Sequence, residues 1–195
     1  VLVIGSSTGY GLASRITAAF GYGANTLGVY YERPNAEDKP GSAGFYNTLA
    51  FEQKARDAGL YAGGLNTDAF SHEAKKSVMK KKSKHMCPID LLVYSLASPR
   101  RTDPDTGLVY QSTLKPIGSL FRSKTLNTDK AEVTEVEIEP ATPPQVEETV
   151  AVMGGADWQL WVEALSEAQL LAPGFRTVAY SYVGPEATWP IYRDG

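Results

Sequence analysis

The chain opens on Val1-Leu2-Val3-Ile4-Gly5-Ser6-Ser7-Thr8-Gly9-Tyr10-Gly11, and no other stretch constrains the fold as much. Four apolar residues, three of them β-branched, read as a strand buried on both faces. Glycines then follow in the order Gly-x-x-x-Gly-x-Gly. Residues 12–20 read as a helix with apolar side chains at Leu12, Ile16, Ala19 and Phe20. A strand, a glycine turn and a helix start together form a phosphate cradle. The helix N-terminus offers free N–H groups and partial positive charge, and glycines let the backbone approach both the phosphates and the strand. The spacing departs from the common Gly-x-Gly-x-x-Gly dinucleotide fingerprint. The bland alternative is a tight turn with no ligand.

A second apolar run, residues 26–31, ends at Glu32. It lies ~20 residues beyond the glycines, the separation expected of the acid that binds the adenosine ribose hydroxyls. A carboxylate there accepts from both hydroxyls and repels a 2′-phosphate, so it favours NAD over NADP. Arg33 next door is a cation able to pair with such a phosphate. The alternative for Glu32 is a solvated strand-end charge.

The rhythm continues. Residues 34–47 read as a long loop, 48–58 as a helix closed by Gly59, and 60–65 as a third strand ending near Asp68 and Ala69. Asp68 is placed either to accept from the adenine amino group or, like Ser71, to cap the next helix. Residues 71–84 read as a helix whose lysines, Lys75 and Lys76 through Lys84, form a solvated face. His72 and His85 read as surface residues and Cys87 as a small packed side chain. Residues 89–94 are a fourth strand followed by Ser95-Leu96-Ala97, small enough to leave room for a cofactor ring.

Residues 100–145 break this pattern. Leu108-Val109-Tyr110 and the alternating run 133–138 predict a small antiparallel excursion that Pro140, Pro143 and Pro144 close. Residues 146–153 and 156–171 read as helices, the second with Trp158, Trp161, Val162 and Leu165 on one core-facing side, and 175–183 as a last strand. The whole predicts an α/β fold: a doubly wound parallel sheet of Rossmann, short-chain dehydrogenase/reductase-like type, with a small β excursion near 100–140.

Composition narrows the function classes. The 195 residues carry a net charge of −3, which gives no basic footprint for nucleic acid. No apolar run approaches the ~20 residues of a membrane span. No metal-ligating cluster stands out. The one cysteine permits no internal disulfide and fits a reducing cytoplasm. One domain is expected over 1–195, and both ends look cut, as in a piece of a longer chain.

Five blocks, VLVIGSSTGYGLASRITAAFGYGA, DLLVYSLASP, LKPIG, VMGGADWQLWVEAL and AYSYVGPEATWPIY, carry a resemblance that covers essentially the whole chain. It resembles the NADH-dependent trans-2-enoyl-CoA and enoyl-[acyl-carrier-protein] reductases of the FabV/Ter type. The resemblance implies reduction of the 2,3 double bond of trans-2-enoyl thioesters in fatty acid synthesis, by an enzyme expected to be a monomer. It implies NAD binding by Gly5, Ser6, Ser7, Thr8, Gly9 and Tyr10, by Tyr31 and Glu32, by Asp68 and Ala69, and by Leu96 and Ala97. It implies Tyr192 as the proton donor and Tyr182 as a substrate-side tyrosine. The family pairs its tyrosine with a lysine in a Tyr-x8-Lys pattern. That lysine would fall beyond Gly195, so weak or no turnover is expected of these 195 residues alone. Two other readings are a carbonyl reductase on the same scaffold and a non-catalytic nucleotide-binding module.

Overall fold

Leu2–Ile4 forms β1, and all three side chains are fully buried. Its strand neighbours on both sides run parallel to it, and with neither face meeting water the unbroken apolar run is what the position demands. In this computed structural model, which describes residues 1–81 and 88–193, the chain continues through α1 (Gly9–Ile16), a π-helical turn (Thr17–Gly21), β2 (Thr26–Tyr30), α2 (Ala43–Asp57), β3 (Ala62–Asn66), α3 (His72–Lys80) and β4 (Ile89–Tyr94). After β5 (Arg100–Thr102), β6 (Val109–Gln111), β7 (Phe121–Asn127) and β8 (Glu132–Ile138) come α4 (Pro143–Met153), α5 (Ala156–Glu167), β9 (Leu171–Ala179) and the short α6 (Trp189–Tyr192).

The chain divides into two compact units. Residues 1–97, 102–109 and 155–180 form the first, and 98–101, 110–154 and 181–195 the second. The first holds a five-stranded sheet in the order β3-β2-β1-β4-β9, parallel throughout. This is the doubly wound arrangement expected from the sequence. The order reverses between β1 and β4, so the crevice beyond their carboxyl ends is the topological switch point where such sheets bind ligands. Leu2, Ile4, Leu27, Val29, Leu92, Trp161 and Leu165 are core members. Beneath β2 and β3 lies a buried arginine. Arg15 donates to Thr26 Oγ1 at 3.3 Å and to the Gly63 carbonyl, lies 3.8 Å from Glu52 and stacks on Phe51. Burial lowers its pKa to about 10.

The second unit contains the β7–β8 hairpin, with Arg122 opposite Glu137 and Lys124 opposite Glu135 on one face. The alternation of acids and apolar residues in 133–138 is this wet-faced pairing. Strand β7, and β5 with its partner β6, carry weaker patterns, and β5 and β7 escape sequence inspection.

Several boundaries need correction. Helix α1 starts at Gly9, so Gly9 and Gly11 lie in its first turn. Helix α2 starts at Ala43, five residues before the expected Thr48, because Gly44 disguises its first turn as loop. Pro143 and Pro144 open α4 rather than close the excursion. Proline's missing N–H costs nothing at the first helical positions, and Thr142 with Gln145 completes a capping box. Helix α5 ends at Glu167. Strand β9 begins at Leu171 and absorbs Pro173-Gly174 as an irregularity, its register jumping between Ile89↔Leu171 and Leu91↔Arg176. Lys75 is not solvated; it is 4% exposed. The expectations for Lys82, Lys84, His85 and Cys87 fall outside the described residues.

Candidate functional site

In the first unit the carboxyl ends of β1, β2, β3 and β4 lie side by side. Three glycines at the β1 end meet three different demands. Gly5 has φ +79°, and a side chain there would overlap the Ser95 carbonyl at the end of β4. Gly11 sits where a Cβ would overlap the Gly5 carbonyl, so helix and strand pack backbone to backbone. Gly9 has φ +53°, and beyond its chain neighbours and its own helix backbone no heavy atom lies within 4 Å of where a Cβ would stand. Space therefore opens beside the first turn of α1, whose leading N–H groups have no partner inside the helix. The amides of Gly5 and Ser6 both point back onto the Val29 carbonyl, at 2.9 and 3.1 Å. The Ser6 side chain is fully buried and donates to the same oxygen, so both its amide and its hydroxyl serve the fold. Thr8, Gly9 and Tyr10 are exposed.

Glu32, just past β2, lies next to this loop. Ser7 Oγ donates to Glu32 Oε1 at 2.6 Å, and Ser42 Oγ donates to Oε2. Asn66, at the end of β3, clamps the Glu32 main chain from both sides. Its Oδ1 accepts from Glu32 N and its Nδ2 donates to Glu32 O, both at 2.8 Å. The carboxylate rests against Gly44 in the first turn of α2, where a Cβ would overlap it. Asn47 Nδ2 donates to the Ser7 carbonyl at 3.3 Å. Sequence inspection missed Ser42, Gly44, Asn47 and Asn66, which orient the expected residues rather than replace them. The Ser42 hydroxyl, directly ahead of α2, serves Glu32 instead of capping the helix.

The other expected residues are placed as follows. Tyr31 is exposed. Asp68 Oδ1 accepts from Phe70 N at 3.0 Å, while Ser71, not Asp68, caps α3 through Ala74 N. Ala69 is buried in the core, so only its backbone is available. Leu96 packs partly against the core and Ala97 is exposed. Arg33 reaches the Pro40 carbonyl on its own loop. In the second unit, Tyr182 and Tyr192 meet edge to face, rings 4.8 Å apart at 87°. Gly184, with φ +72°, turns the chain between them, and Trp189 Nε1 donates to its carbonyl.

The donor set at the strand ends fits a dinucleotide. Open space and helix amides at Gly9 suit a diphosphate. A carboxylate prepositioned by two hydroxyls suits a ribose diol and opposes a phosphate on it. Among the described residues, no three His, Cys, Asp or Glu side chains gather as for a metal ion, and no helix is long and apolar enough to cross a membrane.

Residues 1–37 match the family model of the NAD(P)H binding domain of trans-2-enoyl-CoA reductase, and residues 39–195 that of the trans-2-enoyl-CoA reductase catalytic region. The trans-2-enoyl-CoA reductase of Euglena gracilis is 57% identical over 195 residues, covering 100% of this chain and 36% of that protein. The NADH-dependent enoyl-[acyl-carrier-protein] reductase of Opitutus terrae is 56% identical, over 100% of this chain and 50% of its own length. The crystal structure of Treponema denticola trans-2-enoyl-CoA reductase in complex with NAD superposes with a TM-score of 0.95 at 52% identity, covering 100% of this chain and 49% of that one. The chain spans about half the length, or less, of these relatives. With residues 1–37 and 39–195 matched by the two family models, the chain belongs to the trans-2-enoyl-CoA reductase family.

Proposed function

We propose that the protein containing this chain reduces the 2,3 double bond of trans-2-enoyl thioesters with NADH, on coenzyme A or an acyl carrier protein, in fatty acid synthesis. Residues 1–195 serve as its dinucleotide-binding reductase domain. The observation that carries this reading is the Glu32 carboxylate, held by Ser7 of the glycine loop at 2.6 Å, in a chain whose family relatives are NADH-dependent enoyl reductases.

When bound, NADH supplies a hydride to the β-carbon of the substrate. The chain's residues do the rest. Gly5 and Ser6, whose amides are held by the Val29 carbonyl, shape the loop against the diphosphate, and Ser7, Thr8, Gly9 and Tyr10 hold it through main-chain amides and the helix N-terminus. Tyr31 and Glu32 hold the adenosine ribose, Asp68 and Ala69 the adenine, and Leu96 and Ala97 border the nicotinamide side. The Tyr192 hydroxyl hydrogen-bonds the thioester carbonyl, stabilises the negative charge that builds on its oxygen and, as the proton donor, supplies the proton that the α-carbon takes; solvent then returns a proton to Tyr192. Tyr182 orients the acyl thioester. We propose further that the protein acts as a cytoplasmic monomer.

The test follows NADH oxidation by the full-length protein with crotonyl-CoA. Tyr192→Phe is expected to lower kcat by about 10²–10⁴-fold, the range of a lost general acid. Undiminished turnover in that variant, or turnover of simple ketones in place of enoyl thioesters, overturns the proposal.

A further inference from the structure

The two strand ends assigned to the cofactor's flanks, Asp68–Ala69 after β3 and Leu96–Ala97 after β4, share a buried anchor. Lys75, in the first turn of α3, sends its ammonium beneath the turn that precedes the helix. Its Nζ donates to the Ala69 and Phe70 carbonyls, at 3.3 Å each, and to Asp157 Oδ1 at 2.7 Å. These three acceptors use all three of its protons. The ammonium also lies 4.9 Å from the centre of the Trp161 ring. The other oxygen of Asp157 accepts from the Tyr94 hydroxyl at 2.9 Å, and Tyr94 is the last residue of β4. The Lys75 and Asp157 side chains are 5% and 1% exposed. Neither reaches the crevice.

Stability alone does not account for this pair. Taking two charges out of water costs about as much as their attraction returns, and apolar side chains of the same volume often serve a fold as well or better. An apolar pair cannot hold carbonyls. With the Ala69 and Phe70 oxygens turned inward onto Lys75, and the Asp68 oxygen accepting from Ser71 N at 3.1 Å, the peptide planes of the turn are fixed. That leaves the second Asp68 carboxylate oxygen and the Ala69 N–H outside this network. An acceptor beside a donor complements an adenine edge, which presents an amino group beside a ring nitrogen.

We infer that Lys75 and Asp157 are positioning residues: through the Ala69 and Phe70 carbonyls on one side and the Tyr94 hydroxyl on the other, they set the two cofactor-facing strand ends as one unit. The inference rests on the dinucleotide reading above. It is tested in the full-length protein by titrating NADH, and separately ADP as a probe of the adenine end, into wild type, Lys75→Met and the charge-free double variant Lys75→Met/Asp157→Asn.

The double variant is expected to melt within a few degrees of wild type yet bind NADH and ADP about tenfold more weakly, the scale of one lost hydrogen bond to a charged group. At saturating NADH its kcat is expected to stay within about twofold of wild type. Affinity within twofold of wild type in a folded double variant overturns the inference. So does affinity that falls in Lys75→Met and returns together with the melting temperature in the double variant. A double variant that does not fold also overturns it, since the pair would then be structural. Wild type that binds neither ligand would instead sink the dinucleotide reading itself.

Discussion

Adding one methyl group at Gly44 is expected to weaken NADH binding without harming the fold. Gly44 lies in the first turn of α2, and a Cβ there would overlap Oε1 and Cδ of Glu32. The helix backbone is fixed by its own hydrogen bonds, whereas the carboxylate ends a flexible side chain, so the carboxylate moves. Carbon and oxygen need roughly 3.5 Å, so the displacement is large enough that the bonds from Ser7 and Ser42 cannot both survive. Each bond to a charged acceptor is worth about 1.5–3 kcal/mol net. Water reaches the half-buried carboxylate, so the lower end applies, and about 1.5 kcal/mol of positioning corresponds to an approximately tenfold rise in the NADH Kd. Replacing a helical glycine by alanine contributes up to about 1 kcal/mol the other way in fold stability. Gly44→Ala should therefore melt no lower than wild type while binding NADH about tenfold more weakly and rejecting NADPH less well. The assay is a fluorescence titration of both nucleotides, repeated in a Glu32→Ala background. There Gly44→Ala should have no further effect, because the methyl group no longer has a carboxylate to displace. An unchanged Kd in the single variant, or a tenfold loss that persists without Glu32, would refute the reasoning.

Two further substitutions probe the frame around the site. Gly11→Ala drives a methyl group into the Gly5 carbonyl, with Ser95 Cβ also only 3.2 Å away. Because the first obstacle is backbone, it should lower stability by about 2–3 kcal/mol, read as the urea midpoint. Burial first, and then Glu52, raise the pKa of the Tyr30 hydroxyl, with Arg15 opposing. The unfolded chain therefore ionises this tyrosine first, near pH 10, and the folded state binds more protons above that pH. Stability falls as pH rises through this window. Tyr30→Phe should lose less stability than wild type between pH 9 and pH 11, and equal losses would count against the shift.

The glycine turn, β1, β4 and the acid after β2 were legible in the sequence because their causes are local. A strand buried on both faces needs an unbroken apolar run, and a phosphate-approaching turn needs glycine at set positions. Features whose cause lies elsewhere in the chain were not. Gly44 looks like loop because nothing nearby explains a glycine in a helix; its reason is the Glu32 side chain. Asn66 looks like an ordinary strand-end residue until β3 is laid beside β2 and its amide meets the Glu32 backbone. Pro143 and Pro144 were misread for a different cause. Proline ends one element and starts the next with equal ease, and only the capping box at Thr142 and Gln145 decides which.

Lys75 was misread by averaging, and the signal that corrects it is present in the chain. A run of lysines reads as a solvated face only if every member lies on that face. Helix α3 buries Ala74, Lys75 and Val78, so Lys75 falls on the apolar stripe while Lys76, one position on, does not. A cation on a buried stripe requires an anion within reach. Helix α5 buries Asp157, Trp161 and Leu165, four residues apart each time, so it presents one acid on its own buried stripe. Two helices that each carry a single charge on the buried stripe, of opposite sign, can satisfy both charges by facing each other, as the 2.7 Å contact between Lys75 and Asp157 does. Reading charges by their position on the stripe rather than by their density along the chain marks Lys75 and Asp157 as buried ions that each need a partner.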